Sequence, residues 1–339
     1  MNIREAIEKL VNRISLSESE TIAVMNQIMT GEATPLQVAS FLTALRMKGE
    51  TVEEITGAAR VMREKAHRVN VGSKTVLDTC GTGGDQKGTF NISTTCAFVV
   101  AGAGVNIAKH GNRSVSSQSG SADVLAALGV KVDAPKERVE ACIEKIGIGF
   151  LFAPLLHEAM KYAVQPRREI GIRTIFNLLG PLTNPAMATH QLIGLYSGDL
   201  VVTVAHVLKN LGSVRAMVVH GVEGLDEISL CGATKVAELR NGAVEEYRIE
   251  PEPLGLKRCK LEDLHGGSAE ESAAIVRGVL QGRQGPSRDV VLLNSGAALC
   301  VSGKAHSIEQ GMRLAADSID TGKALEKLEQ LVFMTNATQ

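Results

Sequence analysis

The sequence predicts an α/β protein: a small N-terminal helical domain followed by a larger domain built on a mainly parallel central sheet. Three observations carry this expectation. Roughly the first 70 residues space their apolar side chains at helical period, with no strand-like alternation. From about residue 75 onward, short aliphatic or β-branched runs alternate with helical patterns. Each of those runs ends in a polar or glycine-rich loop. Strands that alternate with helices pair in parallel through right-handed crossovers, and ligands of such sheets bind beyond the carboxyl ends of the strands.

The helical domain, expected over residues 1–70, is punctuated by caps. Ser17 with Glu20, and Thr51 with Glu54, have the spacing at which side chain and backbone satisfy each other's orphan amides. Thr34 before Pro35 opens another helix, expected to stop at Lys48-Gly49. Leu36, Ala39, Phe41, Leu42 and Leu45 are its expected buried stripe. The remainder, 71–339, forms the α/β domain. TVLDTC, GVNIAKHG and AMVVHG read as strands, and DVVLLNSG (289–296) repeats the theme near the C-terminus. The segment 160–185, MKYAVQPRREIGIRTIFNLLGPLTNP, reads as helical and as returning to the N-terminal helices. In 232–260, Asn241-Gly242 signals a two-residue hairpin turn.

Composition narrows the function. The 339 residues suffice for about two domains, and 44 % hydrophobic with 22 % charged content is that of a folded protein. A net charge of -1 gives no whole-protein attraction to nucleic acid or anionic lipid. No long apolar run is present, and MNIREAIEKLVNRI mixes charge with aliphatics, so a cytoplasmic protein with no membrane partner is expected. The cysteines Cys80, Cys96, Cys142, Cys231, Cys259 and Cys300 are scattered without CxxC spacing. They read as reduced thiols, not as a zinc or disulfide framework.

Four clusters carry possible chemistry. In CGTGGDQKGTFNIST (80–94), Gly81, Gly83 and Gly84 allow backbone amides to approach an anion, and Asn91, Ser93 and Thr94 precede a helix whose positive end favours phosphate. It is neither GxxxxGK[ST] nor GxGxxG, and alone it reads equally well as a tight strand-to-helix turn. In AKHGNRSVSSQSGSADVL (108–125), Lys109, His110 and Arg113 add cationic or proton-donating groups, and hydroxyls run from Ser116 to a helix capped near Ser121. Two such loops on adjacent strands suggest a ligand with more than one phosphate. Asp226 and Glu227 follow a strand, where a carboxylate pair can share a hard cation with substrate phosphates or can simply be a solvated turn. Arg167 and Arg168 suit a carboxylate or a phosphate, or pair with Glu169.

GTGGD (81–85), FNIST (90–94), KHGNR (109–113), RRE-x-GIRT-x-FNLLGPL-x-NP (167–185) and DE (226–227) occur in that order over nearly the whole chain. Together they resemble the anthranilate phosphoribosyltransferase family. The resemblance implies the nucleoside phosphorylase/phosphoribosyltransferase architecture and a homodimer formed through the helical domain. It implies transfer of phosphoribose from phosphoribosyl pyrophosphate (PRPP) to the amino group of anthranilate in tryptophan biosynthesis, with one or two Mg²⁺ ions. By position, Gly81, Gly84, Asp85, Thr89, Asn91, Ser93, Thr94, Lys109, Ser116, Ser117 and Ser121 would hold PRPP. Ser93, Asp226 and Glu227 would hold magnesium. Gly81, His110, Asn112 and Arg167 would face anthranilate, with His110 as the candidate to orient the amine or receive its proton. Two departures stand out: HEAM (157–160) lacks the proline the family commonly has after the histidine, and VQPRREIG reorders proline and valine before the arginines. A pyrimidine nucleoside phosphorylase would share the architecture but lack both the acidic pair and KHGNR.

Overall fold

The computed structural model describes residues 1–72, 75–113 and 119–337. Four helices come first: α1 (Ile3–Val11), α2 (Glu18–Thr30), α3 (Pro35–Lys48) and α4 (Val52–Lys65). The expected caps form. Ser17 Oγ accepts from the Glu20 amide at 3.2 Å while Glu20 accepts from the Ser17 amide at 2.9 Å, and Thr51 and Glu54 repeat the exchange. Helix α3 opens on Thr34-Pro35 and stops at Gly49, whose φ of +91° suits glycine. Its stripe differs from expectation. Leu36 is 81 % exposed, Ala39 is only partly buried, and Val38 takes a place in the core beside Phe41, Leu42 and Leu45. At helical period these four buried positions share one face, and Leu36 falls on the opposite side of the axis.

The α/β region follows. In order it contains β1 (Leu77–Gly81), α5 (Ile92–Gly102), β2 (Ile107–Gly111), α6 (Ser121–Ala127), α7 (Lys136–Ile146), β3 (Ile148–Phe152) and α8 (Ala153–Leu156). Then come α9 (Lys161–Ile170), α10 (Phe176–Leu182), β4 (His190–Gly194), α11 (Val201–Asn210) and β5 (Arg215–Gly221). The hairpin β6 (Thr234–Arg240) and β7 (Ala243–Ile249) turns at Asn241-Gly242, both at positive φ (+51° and +74°), as a type I′ turn requires. The chain ends with α12 (Ala269–Leu280), α13 (Pro286–Val301), α14 (Ile308–Asp320) and α15 (Lys323–Asn336).

The seven strands lie in the order β3-β2-β1-β4-β5-β6-β7, parallel from β3 to β5 and antiparallel through the hairpin. DVVLLNSG is not a strand. It lies inside α13, which opens on Pro286 and buries nearly every side chain from Val290 to Val301. A helix apolar all round shows no period, so its run of aliphatics imitates a buried strand. One face of the sheet carries α5 and α12–α15; the other carries α10 and α11, continuous with the core of α1–α4 and α9. Helix α9 packs on α2 and α3, and α10 packs on α4. Pro166 lies within α9 without ending it, and Gly171, in the left-handed region, closes the helix. No described helix is long and apolar enough to cross a membrane. Because β1 is flanked by β2 and β4, successive connections leave it in opposite directions. That reversal opens a crevice at its carboxyl end.

Candidate active site

At this switch point β1 ends on Gly81, and the chain turns through Gly83 and Gly84 at φ +62° and +70° before entering α5. Close approach explains two of the glycines. A Cβ on Gly81 would stand 2.5 Å from Asp226 Oδ2, and one on Gly194, its register partner on β4, would overlap the Asp226 carbonyl. The acidic loop after β5 is thereby pressed against the strand ends. Gly83 N–H donates to Asp226 Oδ2 at 2.8 Å, and Ser93 N–H, in the first turn of α5, donates to Glu227 Oε1 at 3.0 Å. From behind, Asn294 on α13 accepts from the Ile228 amide at 2.9 Å and returns its own Nδ2–H to the Ile228 carbonyl at 2.8 Å.

The electrostatics of this corner are strained. Burial raises the pKa values of both Asp226 and Glu227, and repulsion reinforces it: Asp85 acts on Asp226, and Asp226 on Glu227. Lys109 acts in the opposite direction on Glu227. Asp85 Oδ1 accepts the Lys87 amide at 3.2 Å, while its Oδ2 is buried without a hydrogen-bond partner. Crowded hard-oxygen donors with an orphaned carboxylate oxygen suit a magnesium-like cation. Among the described residues, no three carboxylate, imidazole or thiol groups could hold an ion by themselves. A cation here would complete its shell with water and substrate oxygens, as magnesium usually does.

Lys109 and His110 are consecutive on β2, so they point to opposite faces of the sheet. Buried Lys109 faces α5: its Nζ donates to the Thr79 carbonyl at 2.5 Å and to Ser93 Oγ at 3.3 Å. His110 faces α10, with Nδ1 3.1 Å from the Gly180 carbonyl and its ring 5.2 Å from that of His157. Burial, with His157 adjacent, pushes its pKa down to about 3. The neutral ring donates Nδ1–H to Gly180, which leaves the Nε2 lone pair free; Nε2 is buried and has no partner. Asp78, fully buried on β1, fixes this strand pair. It accepts the His110 amide at 3.1 Å and Asn184 Nδ2–H at 2.7 Å, and Asn184 also donates to the Ala108 carbonyl at 2.8 Å.

Other expected site residues line the approaches. Asn91 precedes α5 without capping it, and its Oδ1 and Thr94 Oγ1 are both buried without partners, so both remain available to a ligand. Thr89 forms a lone antiparallel bridge with His265. The Asn112 carbonyl accepts Ser121 Oγ–H at 3.3 Å, and the Asn112 side chain is exposed. Ser121 is the first residue of α6, with Gly120 in the cap position. Ser116 and Ser117 lie outside the described residues. Arg167 sits on α9 with its guanidinium 5.2 Å over the Phe176 ring. No hydrogen bond among the described residues ties it to the acidic pair. Asp78, Arg173, Gly194 and Asn294 belong to the site although sequence reasoning does not find them. Asp78 and Gly194 sit inside apolar runs, Asn294 lies in the helix that imitates a strand, and Arg173 stands inside a motif without a role of its own.

Residues 4–66 match the helical bundle domain of a glycosyl transferase family, and residues 73–325 match its α/β domain. The chain is 57 % identical to the anthranilate phosphoribosyltransferase of Geotalea uraniireducens, over 98 % of this chain and 99 % of the relative. The chain belongs to the anthranilate phosphoribosyltransferase family. The enzyme of that name from Syntrophotalea carbinolica is 58 % identical, again over 98 % of this chain and 99 % of its own. Among solved structures, the Thermus thermophilus anthranilate phosphoribosyltransferase superposes with a TM-score of 0.93 at 45 % identity, covering 98 % of this chain and 99 % of that one. The Saccharomyces cerevisiae anthranilate phosphoribosyltransferase, solved in complex with PRPP and Mg, gives 0.91 at 29 % identity, over 99 % of this chain and 98 % of that one. As an anthranilate phosphoribosyltransferase, the protein transfers the phosphoribosyl group of PRPP to the amino group of anthranilate. The products are N-(5-phosphoribosyl)anthranilate and pyrophosphate, on the route to tryptophan.

Proposed function

We propose that this transfer takes place in the crevice beyond β1, β2 and β4, with PRPP against the glycine loop and α5 and anthranilate on the side of α9 and α10. The observation that carries the reading is the meeting of Asp85, Asp226 and Glu227 with Lys109 and the start of α5 around orphaned buried oxygens. Asp226 and Glu227, with Ser93 Oγ close by, would hold one or two Mg²⁺ ions. Bound there, the metal would neutralise charge on the leaving pyrophosphate.

The remaining work falls to the chain itself. Asn91, Ser93 and Thr94 bind phosphoryl oxygens at the positive end of α5, with Gly81, Gly84, Thr89 and Ser121 completing the cradle. Lys109 stabilises the negative charge that grows on pyrophosphate as its bond to the anomeric carbon breaks. Arg167 pairs with the anthranilate carboxylate, and Asn112 and Gly81 bound its ring. The amine lone pair forms the new C–N bond. Neutral His110 offers Nε2 as a hydrogen-bond acceptor that orients the amine, since its depressed basicity suits alignment better than proton abstraction. Once bonded to carbon, the arylamine nitrogen is acidic enough to lose its proton without a strong base.

The domain division is read as a helical unit of 1–70 joined by 160–185, with the rest forming the phosphoribosyl-binding domain. Exposed Leu36, Met47 and Val164 on the helical side favour a homodimer through that unit, and a cytoplasmic location is expected. The assay follows anthranilate fluorescence. In wild type the signal should fall only when PRPP and Mg²⁺ are both present, and Glu227→Gln should slow the fall by about a hundredfold. Unchanged turnover in Glu227→Gln would place the metal elsewhere.

A further inference from the structure

Arg173 has no part in that mechanism, yet it reaches into the site. It lies between α9 and α10, and its guanidinium donates through Nη2 to the carbonyl of Gly84, at the top of the glycine loop. Its Cζ lies 4.2 Å from the centroid of the Tyr196 ring, within cation–π range. Tyr196 follows β4 and is itself tied to the glycine loop: its amide donates to Thr82 Oγ1 at 3.0 Å. The glycine loop is therefore held on two sides. Asp226 takes the Gly83 amide, and Arg173 takes the next residue's carbonyl. Two successive glycines at positive φ have little conformational preference of their own, so the shape of this loop must be imposed from outside. A guanidinium stacked on a ring keeps its fork directed at little further entropic cost, which an unstacked lysine cannot do.

We propose that Arg173, braced on Tyr196, is a positioning residue that holds the Gly81–Asp85 loop in the shape that receives the pyrophosphate group. The inference rests on the reading that this loop binds PRPP.

The test is steady-state kinetics on the full-length enzyme with Mg²⁺ present. Arg173→Gln and Arg173→Lys should each raise KM for PRPP about tenfold, while KM for anthranilate changes less than about twofold. Tyr196→Leu should move KM for PRPP in the same direction, and Tyr196→Phe, which keeps the ring, should leave it unchanged. If Arg173→Gln fails to fold, Arg173→Lys and Tyr196→Leu carry the comparison. The inference is overturned if these variants bind PRPP like wild type, or if both KM values rise together with a falling Tm, the signature of general damage. Asp226→Asn separates the two levels. Should it also leave KM for PRPP unchanged, the site reading itself has failed; should it raise KM while the Arg173 variants do not, only the role of Arg173 is lost.

Discussion

Gly194 shows how closely single residues are constrained here. Backbone, not a movable side-chain tip, lies where its Cβ would go, so Gly194→Ala must push the Asp226 loop off β4. Overpacking of that kind costs about 3 kcal/mol, which urea denaturation would register, and Asp226 should be displaced with it. His110 gives a prediction of a different kind. Its folded-state pKa of about 3 lies below the ordinary 6.5, so the unfolded chain protonates first as the medium acidifies. The stability contributed by its neutral form is fully present above pH 6.5 and is lost as pH falls toward 3. Relative to His110→Gln, wild type should lose about 2 kcal/mol between pH 7 and pH 5. A constant difference would mean that the ring is solvated. The polar groups of the site are legible in the sequence because glycines, hydroxyls and charges at strand ends have few other uses. Asp78 is not, since one carboxylate inside TVLDTC gives no hint that Asn184, far along the chain, will pair with it.

At the scale of elements, what is local is readable and what is tertiary is not. The capping boxes of α2 and α4 and the Asn241-Gly242 turn are settled by a few adjacent residues. Ser17→Ala should therefore cost about 1 kcal/mol in thermal or chemical denaturation, because the Glu20 amide loses its acceptor at the start of a helix packed on α4. A cost near zero would show that the first turn frays regardless. Helix α13 reads as a strand because burial on every side erases its period, although Pro286 marks its start. Strands β3 and β4 are short, and their place in the sheet depends on partners far away in sequence. On α3, an aliphatic type alone does not place Leu36, which stands just before the buried stripe begins and faces outward.

For the whole molecule, alternation of strand and helix is enough to foresee a mainly parallel sheet with ligand loops at one end. The strand order, and hence the crevice at β1, depends on crossovers that no stretch of sequence displays. That order brings the loop after β5 across β4 to meet the loop after β1, so that carboxylates far apart in the chain share one corner. In the proposed function this corner receives a cation together with the pyrophosphate of PRPP. Burial and repulsion raise the proton affinity of these carboxylates, so a cation binding there competes with protons. Calorimetric titration of the full-length protein with PRPP and Mg²⁺, in buffers of different ionisation enthalpy, tests this directly. Wild type should release protons on binding, increasingly so as pH is lowered toward neutrality from above, and Asp226→Asn should bind at least about tenfold more weakly with less release. Binding by Asp226→Asn with wild-type affinity and the same proton release would contradict the account.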